Sequence, residues 1–165
     1  MHTTTSATME HAQVHLLPFG APFANASTET SPSPFSAILA ILQQLRPHLD
    51  ELSLRHQLAR QQQQGYQLAY IEHQHAIHAV AGFVIRENLA WGRHIYIDDL
   101  VTDAGYRGHG AGTALLQWVC EYGRDQKCIQ VHLDSGVQRF AAHRFYLKEQ
   151  FAITSHHFAF SLTHR

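Results

Sequence analysis

The stretch YRGHGAGTALL (106–116) sets Gly108, Gly110 and Gly112 at every second position, directly ahead of an apolar helical pattern. Glycine is conformationally costly at a helix start, so its repeated use there calls for a reason. The first turn of a helix presents about four backbone N–H groups without intrahelical partners, and the peptide dipoles leave about half a positive charge at that end. Glycines keep side chains clear of those groups and Arg107 adds a forked cation, so the segment can cradle a phosphate. A glycine-rich turn without a ligand is the competing reading. Spacing excludes two familiar phosphate loops. A P-loop needs Lys and then Ser or Thr after its last glycine, where this chain has Thr113 and Ala114. The dinucleotide fingerprint needs G-x-G-x-x-G after a parallel strand, and GHGAG spaces its glycines differently.

Asp98 and Asp99 are the second anomaly, because aspartate is disfavoured in strands and this pair interrupts the apolar run IYIDDLV. Adjacent strand residues face opposite sides, so one of the two is expected to face a cleft, and which one depends on a bulge. The competing reading leaves both solvated or capping a loop. Histidines at 73, 75 and 78, with the pair His156-His157, invite a metal reading. No carboxylate or thiolate stands at convincing spacing beside them, so no metal is expected. Cys120 and Cys128 have neither metal nor redox spacing and are expected as reduced thiols, which suits a cytoplasmic protein.

The segment Arg107, Gly108, His109, Gly110, Ala111, Gly112 resembles the pyrophosphate loop of the GNAT superfamily of N-acetyltransferases, whose pattern is Arg or Gln, x, x, Gly, x, Gly or Ala. IYIDDLVTD looks like that family's fourth strand, and AAHRFYLKEQFAI looks like its later signature. The resemblance spans roughly 65–162. It implies acetyl-CoA as co-substrate, with pantetheine along the backbone of Leu100, Val101 and Thr102 and the pyrophosphate on Arg107 to Thr113. It also implies Tyr146 as the acid that protonates the leaving thiolate. Beside that acetyl site, Asp98 or Asp99 becomes the base for the incoming ammonium or its electrostatic anchor. The N–H of Leu100 or Val101 is expected to polarise the thioester carbonyl. Asp134 is expected either to contact substrate or to cap the following helix. Arg139 stands where the family often has Asn, and Gln150 replaces the usual Gly before Phe151, suggesting a changed turn. Direct transfer to a primary amine of a small molecule or peptide is the leading expectation. The alternative is a non-catalytic acyl-CoA-binding regulatory module. A homodimer is open to such a chain.

These residues need a scaffold, and 165 residues, 45% hydrophobic and 15% charged, suffice for one core. A formal net charge of -1 gives no basic excess for nucleic acid or an anionic membrane. No secretory signal pattern or bilayer-length apolar run is present. Residues 1–10 read as a frayed end and 11–165 as a single domain. AQVHLLPF predicts a strand ending at Pro18, and ANASTETSPSP a linker. FSAILAILQQL predicts a helix starting near Ser33-Pro34, and 50–64 a second helix closed by Gly65. A hairpin turning near Gln74 follows, then the strand RHIYIDDLVTD, a helix ending near Gly123, a buried strand CIQVHLDSG, a helix VQRFAAHRFYLKEQ and one or two closing strands. That order predicts an α/β (α+β) fold: a mixed, mostly antiparallel sheet of six to seven strands with about four helices.

Overall fold

The computed structural model describes Met9, residues 12–17 and residues 34–162. The expectations for the N-terminal end, apart from Met9, and for the 24–34 linker, apart from Pro34, lie outside them. The chain divides into two compact units, with the boundary between His132 and Leu133.

The first unit carries β1 (Gln13–Leu16), α1 (Pro34–Leu45), α2 (Glu51–Gln63), β2 (Tyr66–His73), β3 (Ala76–Asn88), β4 (Gly92–Thr102), a 3-10 turn (Ala104–Tyr106) and α3 (Ala111–Asp125). β5 (Gln130–Leu133) reaches across the boundary, and the sheet order is β1-β2-β3-β4-β5. The first four strands pair antiparallel. β5 follows the α3 crossover that a parallel neighbour requires. Gln74 and His75 turn the β2–β3 hairpin with φ of 51° and 62°, the left-handed pair of a tight two-residue turn.

Residues 78–84 of β3 are buried without a break, which means that both faces of the strand are covered. On one face, Phe35, Ile38, Leu39 and Leu42 of α1 join Leu54 and Leu58 of α2, Val80 and Val101 in the core. On the other face lie Leu115, Leu116 and Val119 of α3. Asp50 caps α2 by accepting from Ser53 N at 2.7 Å, and α3 runs one turn fraction beyond Gly123, to Asp125.

One glycine in this sheet is fixed by contact. A Cβ built on Gly82 would stand 1.6 Å from the Tyr66 hydroxyl oxygen, and Tyr66 is only 3% exposed. Gly82→Ala is therefore expected to lower stability by about 2–3 kcal/mol or more, read as a fall in Tm of several degrees. An unchanged Tm would mean that Tyr66 has somewhere else to go.

The second unit contains the end of β5 and α4 (Phe140–Lys148). Among the described residues the segment 151–162 forms no strand, contrary to the closing strands expected there. Ile153, Phe158, Phe160 and Leu162 are 75–89% exposed. An alternating apolar pattern supplies a face for a strand but not the neighbour whose N–H and C=O groups must complete it. β5 is half exposed rather than fully buried as expected. Gln150 takes φ of +67°, a left-handed conformation that glycine adopts more readily than other residues.

Candidate active site

The glycine loop has the form an anion site needs. Asp103 closes the 3-10 turn by accepting from Gly105 N at 2.8 Å, after which Gly108 and Gly110 take φ of +82° and +88°. Gly110 is the N-cap of α3, whose first helical residue is Ala111. The left-handed φ at Gly110 lets the chain enter the helix with the N–H groups of Ala111, Gly112 and Thr113 in its first turn. A Cβ on Gly108 would meet nothing within 4 Å, so open space lies over the loop. The Arg107 and His109 side chains are exposed beside it. The residues present therefore fit a pyrophosphate. Arg107→Ala is expected to raise KM for acetyl-CoA more than it lowers kcat. Unchanged cofactor affinity would count against this assignment.

Two anchors of the loop escaped sequence reasoning. Gln44, on α1, donates from Nε2 to Asp103 Oδ2 at 2.7 Å and accepts from Ala104 N at 2.9 Å. His78, on β3, stacks on Tyr106 with ring centroids 3.7 Å apart and accepts from Asp103 N through its carbonyl. Burial, then the neighbouring His73, hold His78 below its ordinary pKa. Neither contact has a signature in sequence, since the partners are distant along the chain.

The acidic pair departs from simple alternation. Gly82 pairs with Asp99 and Phe83 with Ile97, which leaves Asp98 as the extra residue of a bulge in β4. Both aspartates consequently line one cavity of about 320 Å³, together with Arg46, His48, Gln57, Gln61 and Tyr66. The expectation that one of the two would face away is corrected by this bulge. Their environments differ. Asp99 Oδ1 accepts from Arg46 Nε at 2.9 Å, and Asp99 Oδ2 accepts from the Tyr66 hydroxyl at 2.7 Å. Burial and then the Asp99 charge push the Tyr66 phenol well above its ordinary pKa, so it remains a donor. Asp98 has Arg86 at 4.0 Å, an ion-pair distance too long for a hydrogen bond. Burial raises the Asp98 carboxyl above the usual carboxylate range; Arg86 opposes that shift and Asp99 adds to it.

β4 also supplies the edge expected to take pantetheine. Leu100, Val101 and Thr102 pair on one side with Ala81, Val80 and Ala79. β5 starts beside the beginning of β4, where Ile129 N donates to Arg93 O at 2.9 Å, and it has 4 residues against 11 in β4. The part of β4 beyond the bulge extends past so short a neighbour.

Within the second unit, Tyr146 lies on α4, half-buried beside Phe145 and Phe151. Burial raises its phenol above the ordinary value, with Arg139 acting in the opposite direction. Asp134 pairs with His157 at 3.1 Å and does not cap α4, whose N-cap is Arg139. His143 Nε2 donates to Gly136 O at 2.9 Å. Cys120 and Cys128 form no disulfide. Among the described residues no group of three or more His, Cys, Asp or Glu is placed to hold a metal, and no helix is long and apolar enough to cross a membrane.

The model of the acetyltransferase (GNAT) family matches residues 33–151. The uncharacterised N-acetyltransferase YhdJ of Bacillus subtilis (strain 168) is 37% identical over 131 residues, covering 78% of this chain and 92% of YhdJ. An acetyltransferase from Trypanosoma brucei is similar in structure, with a TM-score of 0.68 at 25% identity over 92% of this chain and 99% of that one. The aminoglycoside N-acetyltransferase AAC(6')-Iy, solved in complex with CoA, shares the fold with a TM-score of 0.71 at 10% identity, covering 92% of this chain and 94% of that one. The chain belongs to the GNAT acetyltransferase family. With that membership go acyltransferase activity and acetyl-CoA as the donor.

Proposed function

We propose that this enzyme transfers acetyl directly from acetyl-CoA to a primary amine of a small molecule or peptide. The observation that carries the reading is the cavity of about 320 Å³ lined by Asp98 and Asp99: Arg46 neutralises Asp99, and Asp98, with Arg86 no nearer than 4.0 Å, is the carboxylate left to favour an ammonium. Leu100, Val101 and Thr102 are assigned to pantetheine, whose amides can add to a strand edge as a peptide does. Arg107, Gly108, His109, Gly110, Ala111, Gly112 and Thr113 are assigned to the pyrophosphate.

The acceptor arrives as an ammonium and gives one proton to Asp98, directly or through water. Its nitrogen lone pair then attacks the thioester carbonyl carbon, and a backbone N–H of Leu100 or Val101 stabilises the oxygen that gains charge. The C–S bond breaks with its electron pair on sulfur. Tyr146, kept protonated by its raised pKa, returns a proton to the thiolate. A second proton lost from nitrogen as the amide forms balances the one Tyr146 gives, so the reaction releases one proton net. Asp99, held by Arg46 and Tyr66, acts as an anchor of charge rather than as the base.

The test is a thiol-release assay with acetyl-CoA across polyamines, aminoglycosides and lysine peptides, with matched alcohols as controls. Release with amines alone supports the reading. Release with alcohols alone, or CoA binding without turnover on any acceptor, overturns it, the latter in favour of a regulatory acyl-CoA-binding module.

A further inference from the structure

Arg46 stands just past the end of α1, and its guanidinium gathers two parts of the β4 bulge at once. Nε donates to Asp99 Oδ1 at 2.9 Å, and the terminal NH2 lies 2.9 Å from the same oxygen while donating to the Asp98 carbonyl at 3.0 Å. The opposite oxygen of Asp99 is taken by Tyr66, which itself occupies the space left by Gly82, the residue paired with Asp99 across the bulge. An unpaired bulge peptide has no ladder partner to hold it, and the guanidinium fork supplies one. Asp99 is 13% exposed and has hydrogen bonds to both oxygens, so it is committed to this clamp. Asp98, on the same peptide, has Arg86 at 4.0 Å and lines the same cavity.

We propose that Arg46 is a positioning residue of the acetyltransferase: by clamping the Asp98 carbonyl to the Asp99 carboxylate it fixes the bulge and thereby aims the Asp98 carboxylate at the acceptor amine. This rests on the reading of Asp98 as the base. The charged groups acting on Asp98 are Arg86 from β3, Asp99 from its own strand and Arg46 from the α1–α2 connection, and His48 and Tyr66 line the same cavity. Removing Arg46 takes away a cation and leaves the Asp99 charge uncompensated. Both changes disfavour a second carboxylate beside it. Lysine keeps the charge but has no planar fork to span a carboxylate and a carbonyl, which separates charge from positioning.

The experiment compares wild type, Arg46→Gln and Arg46→Lys by two readouts. The first is the NMR titration of the Asp98 side-chain carboxyl carbon, identified by its absence in Asp98→Asn. The second is the pH profile of acetyl transfer. Arg46→Gln is expected to move the Asp98 titration and the acid limb of kcat/KM upward by about one pH unit. It should also lower kcat by about 10–100-fold, the cost of misplacing a catalytic group by about 1 Å. Arg46→Lys is expected to keep the limb near the wild-type position while kcat still falls, with acetyl-CoA affinity unchanged. A wild-type Asp98 titration in Arg46→Gln, or a wild-type kcat in Arg46→Lys, overturns the clamp. If Arg46→Gln does not fold, Arg46→Lys carries the test alone through its kcat. Wild-type protein that acetylates no amine sinks the acceptor reading instead, and the carboxyl titration still decides whether Arg46 governs Asp98.

Discussion

Asp98→Asn should lower kcat for acetyl transfer by about 10²–10³-fold, the range lost when a positioned proton acceptor is removed, while acetyl-CoA affinity stays as it was. The amide keeps the shape of the side chain and removes only its ability to take a proton. In wild type the base must be ionised, so activity is expected to fall as pH drops through the folded pKa of Asp98, which burial has raised above the usual carboxylate range. The acid limb of kcat/KM should therefore sit above that range and vanish in Asp98→Asn. Stability is expected to move the other way. A carboxyl whose pKa is raised on folding binds its proton more tightly in the native state than in the unfolded chain. Between the unfolded and folded pKa values the native state holds more protons, and stability falls as pH rises through that window. Above it, ionised Asp98 is a standing cost to the fold. Asp98→Asn should accordingly be at least as thermostable as wild type at neutral pH, with its advantage lost when pH falls below the window. A variant that loses activity and Tm together would place Asp98 among the supports of the sheet and leave the base to another group.

The loop and the strand before it were legible because their logic is local. Glycines at 108, 110 and 112, an arginine ahead of them and an apolar helix behind them act through backbone freedom and helix polarity, and both are written in consecutive residues. The bulge was not legible. It depends on Gly82 leaving room for Tyr66, on Tyr66 meeting Asp99 from 33 positions away and on Arg46 meeting it from 53. In sequence, Arg46 is one basic residue before Pro47, indistinguishable from an ordinary cation at a helix end. The C-terminal segment shows the opposite failure. Phe158, Phe160 and Leu162 alternate as strand residues do, yet a strand needs a partner as well as a pattern, and the described residues form none there.

Gly108→Asp should weaken acetyl-CoA binding on the order of a hundredfold, and Gly108→Asn should weaken it much less. The pair isolates charge from shape. Gly108 has φ of +82°, where Asn and Asp are the side chains most readily tolerated, and its Cβ would enter open space. Neither variant should lose much stability, and a carboxylate just ahead of α3 is favourable to the helix itself. What the aspartate opposes is a second anion at the same helix start, where the pyrophosphate is assigned. The repulsion acts between exposed charges, so the difference between the two variants should narrow as salt rises toward molar concentrations, where the screening length falls to about 3 Å. Calorimetric titration with acetyl-CoA at low and high salt reads both effects. If the aspartate and asparagine variants bind alike at low salt, the phosphates lie elsewhere. The spacing of Gly108, Gly110 and Gly112 would then serve only the turn into α3.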